Sequence, residues 1–361
     1  MNKQLLDIYT DYLIASHSYI TATGLAKALN GAISHDKITR FLSAGEYDSK
    51  QLWLLIKPEV RKIESEERGM LIVDNTIEEK PYTDENDLIT WHFDHVFNRT
   101  VKGVNILSLL LRNSDMDLTL PVAFQPIQKT ERKFNKKKNK EVKKSPKTQN
   151  EYFRNMLTVA VIKNKIKCRW VLADSYFSGN DNLEFIKLTL KKDFVMPLKT
   201  NRLVSVSKPK KRTSTCQRVD TLAIEEETVV TVYLKDLPFP VVLVKQVFRN
   251  EDGSEGILYL VSSDMTVSAK TIMDVYQERW PIEEYHKSIK SNTMLAKSPT
   301  KTIRTQQNHF FASIYAYVKL ELLKAQTKLN HFAMKSKLYI EALRASMNEL
   351  KRLQNINVCV T

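Results

Sequence analysis

Two short apolar runs in this chain each close on an aspartate, and that repetition restricts the fold more than any other feature of the sequence. Leu71, Ile72 and Val73 lead into Asp74, and Trp170, Val171, Leu172 and Ala173 lead into Asp174. With Val104 to Leu111 they form a set of apolar runs, flanked by polar turns and separated by helix-length spacers, that begins at Gly69 and predicts a mixed α/β core. A strand ending on a carboxylate places that group at a sheet edge, held by buried backbone and free to meet a cation or a substrate. Aspartate also caps turns after strands, so each residue alone has a structural reading, and it is the pair that points to chemistry.

The rest of the chain divides around this core. Residues 1–65 are helical in pattern, with Leu5, Ile8, Tyr9, Tyr12 and Leu13 at helical spacing. Thr21 to Leu29, the turn at Asn30 and Gly31, and a second amphipathic stretch from Ser34 through Ile38, Phe41 and Leu42 give helix, turn, helix. That order fits a DNA-binding helix-turn-helix, with His35, Asp36, Lys37, Thr39 and Arg40 on the outer face of the second helix, and it equally fits a plain helical hairpin. Residues 66–194 carry the first part of the core, 195–262 read mostly as strands, 263–300 return to helix, and 301–361 form a C-terminal helical region. Residues 129–147 hold ten Lys or Arg against two Glu, Lys136, Lys137, Lys138, Lys140, Lys143 and Lys144 among them. Such a run is either a solvated loop or a flexible arm along a DNA backbone. Lys208, Lys210, Lys211 and Arg212 form a second basic stretch.

Charge supports a polyanionic partner: 56 Lys and Arg against 41 Asp and Glu leave a net charge of +15 and a pI near 9.4. Cys168, Cys216 and Cys359 lie far apart with no paired spacing, which excludes a disulfide framework and a four-cysteine zinc site. No apolar run approaches the roughly eighteen residues of a membrane helix, and a cytoplasmic protein without a membrane partner is expected.

A third acidic element lies in Tyr276 to Lys290. Tyr276, Glu283 and Lys290 are seven apart and Arg279 falls between them, so one helix would set a phenol, two cations and a carboxylate along one stripe. Pro281 interrupts that stripe: it kinks the helix or starts it, and in the second case Tyr276 and Arg279 belong to a preceding turn.

Tyr276, Arg279, Glu283 and Lys290, in that spacing, resemble the Y-R-E-K signature of the insertion-sequence DDE transposases of the IS4 superfamily. Leu-Ile-Val-Asp74-Asn-Thr resembles the first acidic motif of that family, and Val-Leu-Ala-Asp174-Ser-Tyr-Phe the second. Asp74 to Pro81, Trp91 to Asn105 and Leu295 to Ser313 are similar to its IS701-like members, and the likeness runs over roughly residues 65–325. It implies an RNase H-like catalytic core with a β-rich insertion, flanked by helical N- and C-terminal regions. It also implies that Asp74, Asp174 and Glu283 are the catalytic acids and bind two Mg2+ or Mn2+ ions, hard cations that prefer oxygen ligands. On the same resemblance Arg279, Lys290 and Tyr276 contact DNA; the charge pattern adds Lys137 and Lys138 of the 129–147 run and Arg40 on the outer face of the second helix as further candidate contacts. The partners implied are transposon ends, target DNA and a second copy of the chain on paired ends, at the nucleoid.

Other candidates read more plainly. His92, Asp94 and His95 have spacing for a transition metal but sit among Trp91, Phe93 and Phe97, as core or interface residues do. Asp264 reads as a turn or helix cap. Trp91 and Trp280 are readable as core bulk or as platforms for extruded bases. Two alternatives to a transposase stay open: a nuclease or resolvase on the same core, and a DNA-binding derivative without catalysis.

Overall fold

The computed structural model describes residues 2–94, 98–135, 139–208, 216–298 and 300–356. Four helices open the chain: α1 (Lys3–Ala15), α2 (Ala22–Ala28), α3 (His35–Ser43) and α4 (Ser49–Ile63). Six strands follow: β1 (Met70–Glu79), β2 (Thr90–Asp94), β3 (Arg99–Asn113), β4 (Leu118–Pro126), β5 (Glu131–Asn135) and β6 (Lys140–Lys144). Helices and strands then alternate through α5 (Gln149–Leu157), β7 (Trp170–Ala173), α6 (Asn180–Glu184) and β8 (Asp193–Leu198). A strand-rich stretch holds β9 (Leu203–Ser205), β10 (Gln217–Arg218), β11 (Val230–Leu234), β12 (Val241–Arg249) and β13 (Glu255–Ser262). The chain ends in α7 (Ala269–Gln277), α8 (Pro281–Ser291), α9 (Ile303–Thr327) and α10 (His331–Ile356).

Two compact units result. One comprises Trp53–Ile77 and Val104–Glu283, the other Met1–Leu52, Glu78–Gly103 and Glu284–Thr361.

The first unit is built on a mixed sheet. Its strands run β4–β3–β1–β7–β8, with β7 parallel to both β1 and β8 and β4 antiparallel to β3. This is the RNase H-like strand order. The β-rich insertion extends the same sheet outward from β8 through β13, β12, β11, β9 and β10, each pair antiparallel. Parallel strands covered on both faces need continuous apolar runs, and Leu71, Ile72, Val73, Val171, Leu172, Ala173, Phe194, Val195 and Met196 are all fully buried. Each of these side chains except that of Ala173 contributes roughly 1.5–3 kcal/mol by leaving water. Helix α7 packs on β8, β12 and β13, and α5 on β4.

The connections that lead into β7 and β8 share one device. Helix α5, started by a capping box between Thr148 and Glu151, widens into a π-helical segment over Thr158–Lys163, and α6 does the same over Phe185–Thr189. Each is followed by a lysine with positive φ, Lys165 at 53° and Lys191 at 53°.

The basic stretch at 129–147 contains a two-stranded ribbon, β5 against β6 with Glu131 opposite Lys144, where a loop or flexible arm was expected. Pairing is compatible with its composition because acids stand among the cations: Arg132 faces Glu141 at 3.9 Å and Lys133 bonds Glu131 at 2.9 Å.

The second unit is helical around α9, of which Phe310, Phe311, Ile314, Ala316, Tyr317 and Leu320 are buried. Helices α1, α3 and α10 pack on it, and β2 pairs antiparallel with the start of β3. Polar side chains fix the packing: the Asn308 amide donates to the Leu42 and Gly45 carbonyls at 2.7 Å each and accepts from the Tyr47 N–H at 2.9 Å, while His309 joins Tyr9 Oη to the Met294 carbonyl. Lys335 Nζ donates to the carbonyls of Ile14 at 2.6 Å and Ser16 at 2.5 Å at the end of α1. Thr21 and Ser34 cap α2 and α3 as the helix–turn–helix spacing requires, and the outer face of α3 from His35 to Arg40, Ile38 apart, is exposed.

Gly69 sets where β1 begins. A Cβ there would lie 2.6 Å from the Ser65 carbonyl oxygen and 2.8 Å from that of Lys167, and backbone cannot yield as a side-chain tip does. Gly69→Ala is expected to destabilise the protein by about 1–3 kcal/mol in urea unfolding, as overpacking does; an unchanged midpoint would show that the close approach is not required.

Candidate active site

Strand register brings the two aspartates together. Along β1 and β7 each residue pairs with the one a hundred positions on, Met70 with Trp170 through Val73 with Ala173. Asp74 and Asp174 are the next residues in that register, and with neighbouring strands about 4.8 Å apart the two acids fall side by side. Asp174 follows the end of β7 as expected, whereas β1 does not end on its aspartate but runs on to Glu79. Asp174 leaves β7 in a tight turn, its carboxylate accepting from the Tyr176 N–H at 3.0 Å and its carbonyl from the Phe177 N–H at 3.2 Å. Asp74 accepts from the Asn75 N–H at 2.7 Å.

Glu283 reaches the same place from the helical side. Helix α7 stops at Gln277, and the N–H groups of Arg279 and Trp280 turn back to the carbonyls of Tyr276 and Gln277 at 3.0 Å each before Pro281 opens α8. The single stripe is thus divided: Tyr276 ends one helix, Arg279 lies in the turn, and Glu283 and Lys290 share the next helix. Proline explains the break, since it lacks a donor and fits the first helical position. The turn still sets Arg279 Nη1 3.0 Å from Glu283 Oε1 and 3.5 Å from Asp74 Oδ2. The Tyr276 ring lies under the same guanidinium, 5.8 Å from Cζ to centroid. Asp74 and Glu283 each offer a carboxylate oxygen, and these lie within 4.8 Å of one another.

The electrostatics follow from crowding like charges in a half-buried site. Burial, then the Asp174 and Glu283 carboxylates, push the Asp74 carboxyl up to about 7 against the pull of the Asn75 N–H and Arg279. Burial also raises Asp174, which the Tyr176 N–H and Arg279 hold down. Three carboxylates against one guanidinium leave an excess of negative charge, and carboxylate oxygens suit a hard divalent cation.

Lys199 was not singled out in the sequence, yet it is among the groups that lower the Asp174 carboxyl. Its signal was available: Lys199 follows β8 much as Asp174 follows β7.

The other candidate residues lie elsewhere. Lys290 faces Glu78, whose carboxyl is raised by burial and drawn down by that ammonium. Arg40 is exposed on α3 and donates to the Asp36 carbonyl at 3.4 Å. Lys137 and Lys138 lie outside the described residues, as do His95 and Phe97. His92 is buried with Nε2 3.0 Å from Thr90 Oγ1. Asp264 forms a turn with Thr266 and an ion pair with Arg169 at 2.7 Å. Trp91 and Trp280, for which core packing was one reading, are 53% and 62% exposed.

Comparison with known proteins gives two family matches: residues 1–223 match the family described as DDE superfamily endonuclease, and residues 148–319 match the transposase DDE domain. A curated protein of Geobacillus stearothermophilus, a probable transposase for insertion sequence element IS5377, is 33% identical over 82 residues. That match covers 23% of this chain and about a fifth, 21%, of the relative's length. Among solved structures, Endonuclease V of Ciona intestinalis in complex with a 24mer DNA containing an inosine followed by a ribo-adenosine overlaps 65% of this chain and 97% of its own, with 11% identity and a TM-score of 0.27. A second structure of that enzyme, with a 23mer DNA, gives 10% identity, the same TM-score of 0.27, and coverage of 65% and 96%. At such scores the overlap adds nothing to the fold, which rests on the strand order.

No helix among the described residues is long and apolar enough to cross a membrane.

The raised Asp74 carboxyl has a stability consequence. Because its folded value of about 7 lies above the usual aspartate value, the folded protein holds this proton more tightly than the unfolded chain does. The resulting stability is complete at acid pH and is lost as pH rises through about 7. In metal-free protein Asp74→Asn is expected to raise the unfolding midpoint at pH 8 by up to about 4 kcal/mol in stability and to change it little near pH 4. Equal effects at both pH values in thermal unfolding would contradict the assignment.

Proposed function

The chain belongs to the DDE superfamily of endonucleases, and on that premise we propose that it is a DNA transposase that binds the terminal inverted repeats of its own insertion sequence, cleaves there and joins the ends to target DNA. The observation that carries this reading is the register of β1 against β7, which sets Asp74 beside Asp174, together with the turn that brings Glu283 to Asp74 across Arg279. An IS701-like grouping within the IS4 superfamily is part of the reading, supported by the sequence segments named above.

In this proposal Asp74, Asp174 and Glu283 hold two Mg2+ or Mn2+ ions. When bound, such ions activate an attacking water or DNA 3′-hydroxyl and stabilise the departing 3′-oxygen of an in-line displacement at phosphorus. The chain's own residues supply the rest. Asp74, whose carboxyl is poised near 7, gives up its proton as positive charge enters the site. Arg279 balances the acids before loading and has further N–H donors for a phosphate. Tyr276 holds that guanidinium from beneath and offers its ring to the DNA. Lys290, Arg40, Lys137 and Lys138 contact the DNA backbone, whose neutralisation makes binding salt-dependent. The helical segment 1–65 supplies end recognition through the outer face of α3, the core segments 66–194 and 263–300 supply the acids, and two copies act on paired ends.

The test uses DNA carrying the element's own terminal sequences with Mg2+. Asp74→Ala, Asp174→Ala and Glu283→Gln are each expected to lower strand cleavage by at least about 10³-fold, the scale of several kcal/mol of lost charge stabilisation, while end binding in a mobility-shift assay persists. Near-normal cleavage by any one variant would remove that residue from the site. Joining of a pre-cut end to a target plasmid is expected of the unaltered protein, and cleavage without joining would make it a nuclease instead.

A further inference from the structure

None of the catalytic groups lies on the ribbon β5–β6, yet the ribbon leaves the sheet at the end where they stand. After β4 the Ile127 N–H donates to the Asn105 carbonyl at 2.8 Å, and the Asn75 amide, next to Asp74, donates to Asn105 Oδ1 at 3.3 Å. The other foot of the ribbon is tied to α5, where Ser145 Oγ meets Tyr152 Oη at 3.2 Å. Each strand has five residues, about 17 Å of extended chain. Directly opposed residues share a face: Arg132 with Lys143 and Phe134 with Glu141 on one side, Glu131 with Lys144 and Lys133 with Val142 on the other. Phe134 is 61% exposed, and the side chains of Arg132 and Glu141 are 72% and 66% exposed. Two cations set opposite each other weaken a strand pair, and the Arg132–Glu141 contact at 3.9 Å is too long and too exposed to offset much. A face that costs the isolated ribbon stability is explained when a surface rich in acceptors lies over it.

We infer that the ribbon lies in the major groove of the DNA flanking the cleavage site, with the face of Arg132 and Phe134 on the base edges. This rests on the DNA-cleaving function proposed above and adds to it an element that reads sequence. The major groove, about 12 Å wide, admits a two-stranded ribbon. Each side chain of that face has a base-edge partner there: Arg132 and Lys143 the O6 and N7 of guanine, Phe134 the methyl of thymine, and Glu141 the amino group of cytosine. The opposite face carries Lys133 and Lys144, whose long side chains reach the phosphates of the groove walls. Base contacts specify and phosphate contacts position, so the two faces have separable effects on binding.

The experiment measures binding of the full chain, without metal, to a duplex carrying the element's terminal sequence and to a shuffled duplex, across a salt series. Lys133→Ala with Lys144→Ala is expected to weaken both duplexes alike and to reduce the slope of log affinity against log salt by about 2, one for each lysine. Arg132→Ala is expected to cost about tenfold on the terminal duplex and little on the shuffled one. Arg132, Lys133 and Lys144 are exposed, so the unfolding transition of each variant should not move. Replacing guanines one at a time by 7-deazaguanine removes the N7 acceptor and keeps the base pair. At least one position is expected where this weakens the unaltered protein and has no further effect on Arg132→Ala. An unchanged salt slope, a loss from Arg132→Ala that is equal on the two duplexes, or the lack of any such guanine would each overturn the inference while leaving cleavage as proposed. A protein that binds neither duplex would overturn the proposed function along with it.

Discussion

The in-register parallel pairing of β1 with β7 is the constraint on which the rest of the site depends. It needs no special contact between the aspartates; it needs only that Leu71, Ile72 and Val73 be buried beside Val171, Leu172 and Ala173. Burial of those runs specifies register, because a slip by one residue would turn every side chain to the other face. Two carboxylates are thereby held together whose mutual repulsion would otherwise separate them, and the hydrophobic burial of the strands offsets that cost. Gly69 belongs to the same arrangement, since the close approach of the Ser65 and Lys167 backbones at the start of β1 leaves no room for a side chain.

Arg279 links the strand acids to the helix acid. Its position comes from a broken helix: a continuous one would have carried Tyr276, Arg279, Glu283 and Lys290 on one stripe. The turn before Pro281 instead directs the guanidinium between Asp74 and Glu283, over the Tyr276 ring. The site is therefore balanced without being neutral, and burial together with the surplus of acid raises Asp74. A group so placed responds to any incoming positive charge, which is the property a cation-dependent reaction requires.

Elements governed by local chemistry could be read from the sequence. Apolar runs marked β1, β3 and β7, and Thr21 and Ser34 marked the starts of α2 and α3 where their caps are found. What depends on partners distant in the chain was less visible. Composition alone made 129–147 a loop, because pairing of β5 with β6 rests on cross-strand placement of a few acids among many cations. Trp280 could be read as core, and nothing local shows that a residue in the turn ahead of a helix-opening proline faces solvent. The spacing of Tyr276 to Lys290 suggested one stripe, and only the capacity of Pro281 to start a helix distinguished that from two helices joined by a turn. Lys199 was missed because a lysine after a strand is unremarkable until the neighbouring strand is known to be followed by Asp174.

The π-helical turns that close α5 and α6 bear on how this protein can change over generations. Each turn holds one more residue than an α-helix would between the same two points, and a lysine in left-handed backbone follows before the next strand. Deleting a residue there would allow an ordinary helix, yet it would also draw β7 or β8 one step along its neighbour. The edges are under no such restriction: strands from β9 to β13 can gain or lose length without touching the β1–β7 register. Insertions and deletions should therefore accumulate at the rim of the sheet and be absent from the two wide turns, leaving the run from each helix to its strand fixed in length among its descendants.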